Sequence, residues 1–324
     1  MHTGSHRRPR AASRAVLIPV EPPYDLTRTL SCGQCFRWTV LPPSGDRSTV
    51  SALGIIGRTV AIVNQEPGGL RVRWQGPAGS PAHLALHIGA CEPLGEIEAA
   101  LARDPVLLRL LPRTSGIAIM RQDPWECLVS YVVSAFNNIP KISLSVERMA
   151  RRFGEPIRST GDAGNGDAIG EGIGGRIGGG HNPVGWAFPS AERLAAAGPA
   201  ALRTCALGYR ARYVRDLARL VADGKVDLAR IATMPFDDAR ATLLDLPGVG
   251  EKVADCVLLF AFGRGEAFPV DVWVQRAVER WYFSGRTATP RAIRGWASDR
   301  FGPLAGYAQQ HLFAGARLLR DRVP

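Results

Sequence analysis

Residues 243–256 read LLDLPGVGEKVADC, and residues 267–274 read AFPVDVWV. In the first stretch, Gly248 and Gly250 permit backbone angles closed to other residues and let amides approach a ligand with no Cβ in the way. The apolar spacing on either side predicts helices at about 236–244 and 251–262, so the turn places the positive end of the second helix beside those amides. Such a turn is an anion site suited to a phosphate, read without regard to sequence. Lys252 lies in the first turn of that helix, where the dipole disfavours a cation. Of 40 basic residues only Lys141, Lys225 and Lys252 are lysines. A chain that otherwise chooses Arg keeps here the one basic side chain that can shed its proton and act as a neutral nucleophile. Cys256 follows at i+4 on the same face, with Val253, Val257 and Phe260 adjoining, and reads equally as a buried structural thiol or a ligand contact. Asp271 stands before the next apolar-periodic segment as an N-cap. Held there near an amine, a carboxylate could also stabilise positive charge developing on a sugar ring.

The bulk numbers agree with a chain that meets a polyanion. At 324 residues, with 46% hydrophobic and 21% charged residues, there is room for two globular domains. A formal charge of +11 favours nucleic acid first and acidic membrane second. No apolar run approaches bilayer length, and AVLIPV at 15–20 is too short even for a signal core, so no membrane partner is expected. The expected location is cytoplasmic, at the nucleoid, if the source is bacterial, and nuclear if it is eukaryotic. Six scattered cysteines read as reduced thiols. One CxxC, Cys32 to Cys35, cannot complete a tetrahedral metal site without a second pair.

Along the chain, residues 1–14 are basic, polar and expected to be disordered. Residues 15–115 are expected to form an antiparallel sheet domain: RTVAIVNQ at 58–65, then glycines, then LRVRWQG at 70–76 is a hairpin signal. The spacing turns helical over 92–111. A helical domain is expected over 116–324, opening at DPWECLVSYVVSAF (123–136) with Asp123 as N-cap, Pro124 first in the helix and Glu126 at capping-box spacing. Further helices are expected at 142–153, 190–205, 210–223, 272–282, 290–300 and 303–321. Residues 159–183 are glycine-rich, with half of 161–180 being Gly, and are expected to be a flexible insertion. That stretch lacks a Gly-Lys-Ser/Thr ending and is not a nucleotide loop. The fold class expected is α+β, an N-terminal antiparallel sheet packed on a mainly helical body.

LPGVGEKVADC followed by PVDV closely resembles the helix-hairpin-helix, Gly/Pro-Asp motif of base-excision glycosylases, specifically the 8-oxoguanine DNA glycosylase/AP lyases. SCGQCFRW (31–38), QDPWECLVSYVVSAFNNI (122–139), LGYRARYV (207–214) and FGPLAGYAQQHLF (301–313) look like family segments in the same order. The resemblance implies damaged double-stranded DNA as partner, base flipping, attack of Lys252 on C1′, a Schiff base and β-elimination, with Asp271 stabilising the sugar's charge. It implies that Phe313 and Cys256 sandwich the purine, that Gln309 bonds its Watson–Crick edge, and that the Gly33 carbonyl accepts the N7 proton that oxidation creates. Ordinary guanine offers an acceptor there instead, and the repulsion discriminates. Asn137, Asn138, Lys141, Tyr209 and Arg210 match the region that fills the gap and meets the opposite base. The chain departs from the eukaryotic pattern, three Asn followed by Ile-Ala-Arg, at Phe136 and Lys141, and carries Trp273 where that pattern has His. Cytosine selectivity therefore does not transfer with the resemblance. Gly248 and Gly250 are implied as phosphate-binding, and the carbonyls of Leu244, Leu246 and Val249 as ligands for a monovalent cation. No redox cofactor or catalytic metal is required, and a monomer is expected. Two alternatives remain: a noncatalytic helix-hairpin-helix DNA-binding module, and a glycosylase for alkylated bases, which shares the hairpin but lacks the attacking lysine. The iron–sulfur branches need four cysteines near the C-terminus, and none follows Cys256.

Overall fold

The computed structural model describes residues 14–42, 49–77, 80–158 and 183–319. Residues 1–13 of the expected tail and 159–182 of the expected insertion lie outside them. Five antiparallel strands, β1 (Arg14–Pro19), β2 (Trp38–Val40), β3 (Val50–Ile56), β4 (Thr59–Glu66) and β5 (Gly69–Gln75), form a sheet in the order β1-β5-β4-β3-β2. The β4–β5 hairpin is the one the alternation predicts, with Gly68 at φ +87 in its turn. Arg14, placed in the tail by its charge, begins β1 and pairs with Trp74.

The VAIV run of β4 is apolar on both faces because both are covered. Ala61 and Val63 face the main core beside Val72 and Trp74, while Val60 and Ile62 pack with Ile157 in a second cluster. Ile157 belongs to a short ribbon, β6 (Pro156–Arg158) and β7 (Pro183–Trp186), that the glycine-rich stretch hides from sequence reading. Gly185 lies so close that a Cβ would sit 2.8 Å from Ile55 Cδ1. Arg37 donates to the Trp186 carbonyl, and Arg58 pairs with Glu155 at 2.8 Å.

Helices fill the rest. The Pro124–Ser134 helix starts as expected, the Asp123 carboxylate accepting from Glu126 N at 2.9 Å. Glu126 itself turns to Arg37 at 3.6 Å, and burial, opposed by Arg37, pushes its carboxyl up to about 7. The helix expected at 190–205 is broken: Ala191–Ala196, then Pro199–Leu202 restarted by Gly198-Pro199, then a widened turn at Arg203–Leu207 with Ala206 at φ +62. The 92–111 segment is likewise two helices, Leu94–Leu101 and Pro105–Thr114, the second capped by Asp104. The Ile139–Phe153 helix begins earlier than apolar spacing suggested because Asn138 caps it. The hairpin is present: Phe236–Leu244, a turn, and Glu251–Phe260, followed by Val272–Trp281 capped by Asp271. The Ala305–Leu319 helix packs against the Val272–Trp281 and Pro105–Thr114 helices. Among the described residues no helix is long and apolar enough to cross a membrane.

Candidate active site

A cleft of roughly 960 Å³ brings together the C-terminal end of the Pro124–Ser134 helix, the hairpin turn, the start of the Val272–Trp281 helix and the Gly33 loop. Lys252 and Asp271 both line it. Lys252 Nζ donates to Ser134 Oγ at 3.0 Å and sits 4.8 Å from the centre of the Tyr131 ring. Ser134 Oγ in turn donates to the Tyr131 carbonyl at 2.6 Å, which leaves its lone pairs for the lysine. Lys252 is thus aimed inward, fixed by two residues one helical turn apart. Tyr131 stacks on Phe260, rings 5.5 Å apart and 14° from parallel, and meets Phe36 edge-on. Neither Tyr131 nor Ser134 was singled out in the sequence, although SYVVSAF sets them at i and i+3.

Asp271 is an N-cap, accepting from Val274 N at 2.8 Å. Burial raises its carboxyl above the usual range; the Val274 amide and then the Lys252 charge oppose this. No direct ion pair joins Asp271 to Lys252 among the described residues.

Cys256 and Gln309, expected against the purine, do not reach the cleft wall. Cys256 is only 2% exposed, with the Lys252 charge close enough to act on its sulfur. Burial pushes its thiol up to about 12, with Lys252 opposing, so it is a protonated core thiol at neutral pH. Gln309 is buried, its Oε1 accepting from Gln310 Nε2 at 2.6 Å. Phe313 and Gly33 do line the cleft. Gly33 has φ +91, and a Cβ there would lie 2.7 Å from Ile139 Cδ1 and 3.5 Å from Phe313 Cε1, so only glycine fits. The next residue, Gln34, fixes the loop. Its amide donates to the Thr29 and Ala118 carbonyls and accepts from Met120 N, while its carbonyl accepts from Gln122 Nε2 and the Tyr131 hydroxyl.

At the hairpin the two glycines differ. Gly248 is left-handed at φ +79, and a Cβ would meet Tyr213 Cβ at 2.8 Å. Gly250, expected to need unusual angles, is ordinary extended backbone at φ −98, ψ 179. Nothing lies within 4 Å of where its Cβ would be, so its benefit is open space over the helix N-terminus. Beneath, Asp255, with a side chain 1% exposed, accepts from Arg240 Nε at 2.7 Å and faces Arg294 at 3.8 Å; Arg294 also grips Glu251 at 2.6 Å. This network ties the lysine-bearing helix to the Phe236–Leu244 and Pro290–Phe301 helices, and sequence periodicity does not reveal it.

The residues expected to meet the opposite base divide. Tyr209 is exposed, edge-on to Tyr213. Lys141 is exposed but outside the cleft lining. Asn137 Nδ2 donates to the Val133 carbonyl at 3.2 Å, and Asn138 Oδ1 caps Lys141 N at 3.1 Å. Arg210 is 9% exposed and donates to the Ala135 and Phe136 carbonyls. In the turn, the Leu246 carbonyl accepts from Val249 N, and those of Leu244 and Val249 receive no hydrogen bond from another described residue. Neutral carbonyls of this kind suit a hard, singly charged cation.

The helical part of the chain, residues 131–301, matches the family model described as HhH-GPD superfamily base excision DNA repair protein, and residues 16–128 match that of the 8-oxoguanine DNA glycosylase N-terminal domain. The probable N-glycosylase/DNA lyase of Methanothermobacter thermautotrophicus is 36% identical over 231 residues, covering 68% of this chain and 70% of that one. Among solved structures, MBOgg1 in complex with a low-affinity DNA ligand superposes with a TM-score of 0.81 at 31% identity, covering 99% of this chain and 100% of the other. The Clostridium acetobutylicum 8-oxoguanine glycosylase/lyase, in complex with double-stranded DNA containing cytosine opposite 8-oxoG, gives 0.77 at 28% identity, covering 91% and 92%.

Proposed function

Because this chain belongs to the HhH-GPD superfamily of base excision DNA repair proteins, we propose that its cleft excises 8-oxoguanine from duplex DNA and cuts the strand at the resulting site, with Lys252 as nucleophile. One observation carries the reading: among the described residues the one lysine lining the cleft donates to Ser134 and lies over the Tyr131 ring, in a space also lined by Asp271, Gly33 and Phe313. The amine lone pair forms the bond to C1′ as the glycosidic pair leaves with the base, and the proton shed by nitrogen goes to the departing base. Opening of the sugar gives a Schiff base. Loss of a C2′ proton then expels the 3′ phosphate and breaks the strand.

Asp271 supplies the negative charge against which the sugar's developing positive charge is stabilised. Its cap bond prevents it from turning away. The damaged base must leave the stack, at a cost of a few kcal/mol, and the Gly33 carbonyl, on a loop fixed by Gln34, reads the N7 proton that only the oxidised base carries. The hairpin amides at Gly248 and Gly250 take the backbone phosphate. The Leu244, Leu246 and Val249 carbonyls would hold a monovalent cation that adds positive charge to that phosphate site, with no step of the chemistry passing through it.

Borohydride trapping tests the assignment. Wild type should form a covalent adduct with an 8-oxoguanine duplex, and Lys252→Gln should form none and excise at a rate lower by roughly a thousandfold or more. Salt-sensitive binding by wild type with no adduct would leave a noncatalytic hairpin module instead.

A further inference from the structure

Phe136 is the most exposed large apolar side chain among the described residues, at 99%, and it lines the same cleft as Lys252. It is also left-handed, at φ +50, a conformation bulky side chains rarely adopt without support. The support is visible. Arg210 Nε donates to the Ala135 carbonyl at 2.8 Å and its Nη2 to the Phe136 carbonyl at 3.1 Å, with Nη2 also reaching Ala135. The guanidinium lies 4.5 Å from the centre of the Tyr209 ring and is buried. The following side chains are engaged too: Asn137 Oδ1 accepts from Asn138 N, and Asn138 caps the next helix. The hydrogen-bonding groups here therefore hold the loop, and what the loop offers outward is an aromatic ring.

We infer that Phe136 is the side chain that enters the duplex where the damaged base has left, that Arg210 is a positioning residue holding it out rather than a reader of the opposite base, and that the orphaned base is met by stacking. This rests on the Lys252 reading above. A ring inserted between base steps is a common apolar wedge. Because every base has a π-face, stacking is tolerant of sequence, whereas hydrogen-bond readout would select one partner. The enzyme should therefore accept 8-oxoguanine opposite any base with little preference.

Single-turnover excision from duplexes carrying 8-oxoguanine opposite C, T, A and G should give rates within roughly tenfold of one another. With 2-aminopurine as the opposite base, wild-type binding should quench its fluorescence by stacking. Phe136→Ala should abolish that quenching and slow excision by roughly tenfold or more, losing less on trapping at a preformed abasic site, which has no base to displace. Arg210→Ala should fall with Phe136→Ala in both readouts, and Arg210→Lys should restore part of the quenching. A cytosine preference above roughly a hundredfold that Arg210→Ala removes would make Arg210 a base reader and overturn the inference. So would Phe136→Ala with unchanged quenching and excision while wild type still traps at abasic sites. Failure of wild type to trap at an abasic site would overturn the Lys252 reading itself.

Discussion

Asp271 has two roles that a pair of substitutions separates. Asp271→Ala removes both the cap acceptor and the charge; it should lower stability by about 1 kcal/mol in urea denaturation and suppress excision. Asp271→Asn keeps an acceptor for Val274 N, so it should recover most of the stability and none of the rate. The carboxyl is raised by burial, so protonation overtakes it at a higher pH than a free side chain, whose value is about 3.9. Excision should fall on acidification with its midpoint above that value, read from a single-turnover rate profile. The thiols give an independent check on burial. Five of the six cysteines are buried and Cys91 is exposed. Mass spectrometry after brief iodoacetamide treatment of the native protein should find label at Cys91, with Cys256 reacting only after denaturation.

At the level of elements, the hairpin is stiffened by charges that no periodicity announces. Arg240→Ala leaves the Asp255 carboxylate buried without its closest partner and should destabilise by roughly 3 kcal/mol. Burial already raises the Asp255 carboxyl, opposed first by Arg240. A raised folded-state value means stability is present at low pH and lost as pH rises through it, so the Arg240→Ala deficit should shrink on acidification. Gly248→Ala forces a left-handed Ala against Tyr213 and should cost roughly 1–2 kcal/mol or more, whereas Gly250→Ala meets open space and should weaken DNA binding more than folding. These contrasts show where sequence reading reached. Local rules held for Asp123, Asp271 and the β4–β5 turn, because a cap or a turn is decided within a few residues. They fell short where distant residues decide. The Arg203–Leu207 turn widens before Arg210 reaches the Phe136 loop, 74 positions away along the chain, whereas the Gly198-Pro199 break in the 190–205 helix is itself a local signal. Nothing near Arg210 in the sequence says that its guanidinium is buried.

Across the whole molecule, one hydrophobic core runs through the sheet and the helical body, and Gln34 adds polar ties beside it. Gln34→Ala would strand the buried Ala118 carbonyl and Met120 amide, at about 1–3 kcal/mol for each, and should free the Gly33 loop; the Thr29 carbonyl keeps Cys32 Sγ. Discrimination between 8-oxoguanine and guanine should then weaken along with thermal stability. The formal charge of +11 sets the salt response: DNA affinity should drop steeply, by orders of magnitude between 50 and 200 mM salt, if several phosphates are neutralised. The β6–β7 ribbon has a practical consequence as well. Arg158 lies opposite Pro183, so the chain departs and comes back at adjoining points while Ile157 stays anchored under β4. A foreign module whose own two ends lie side by side, such as a fluorescent reporter, could be spliced between those positions without stretching the sheet or the hairpin, and the chimera should keep its parent's melting temperature.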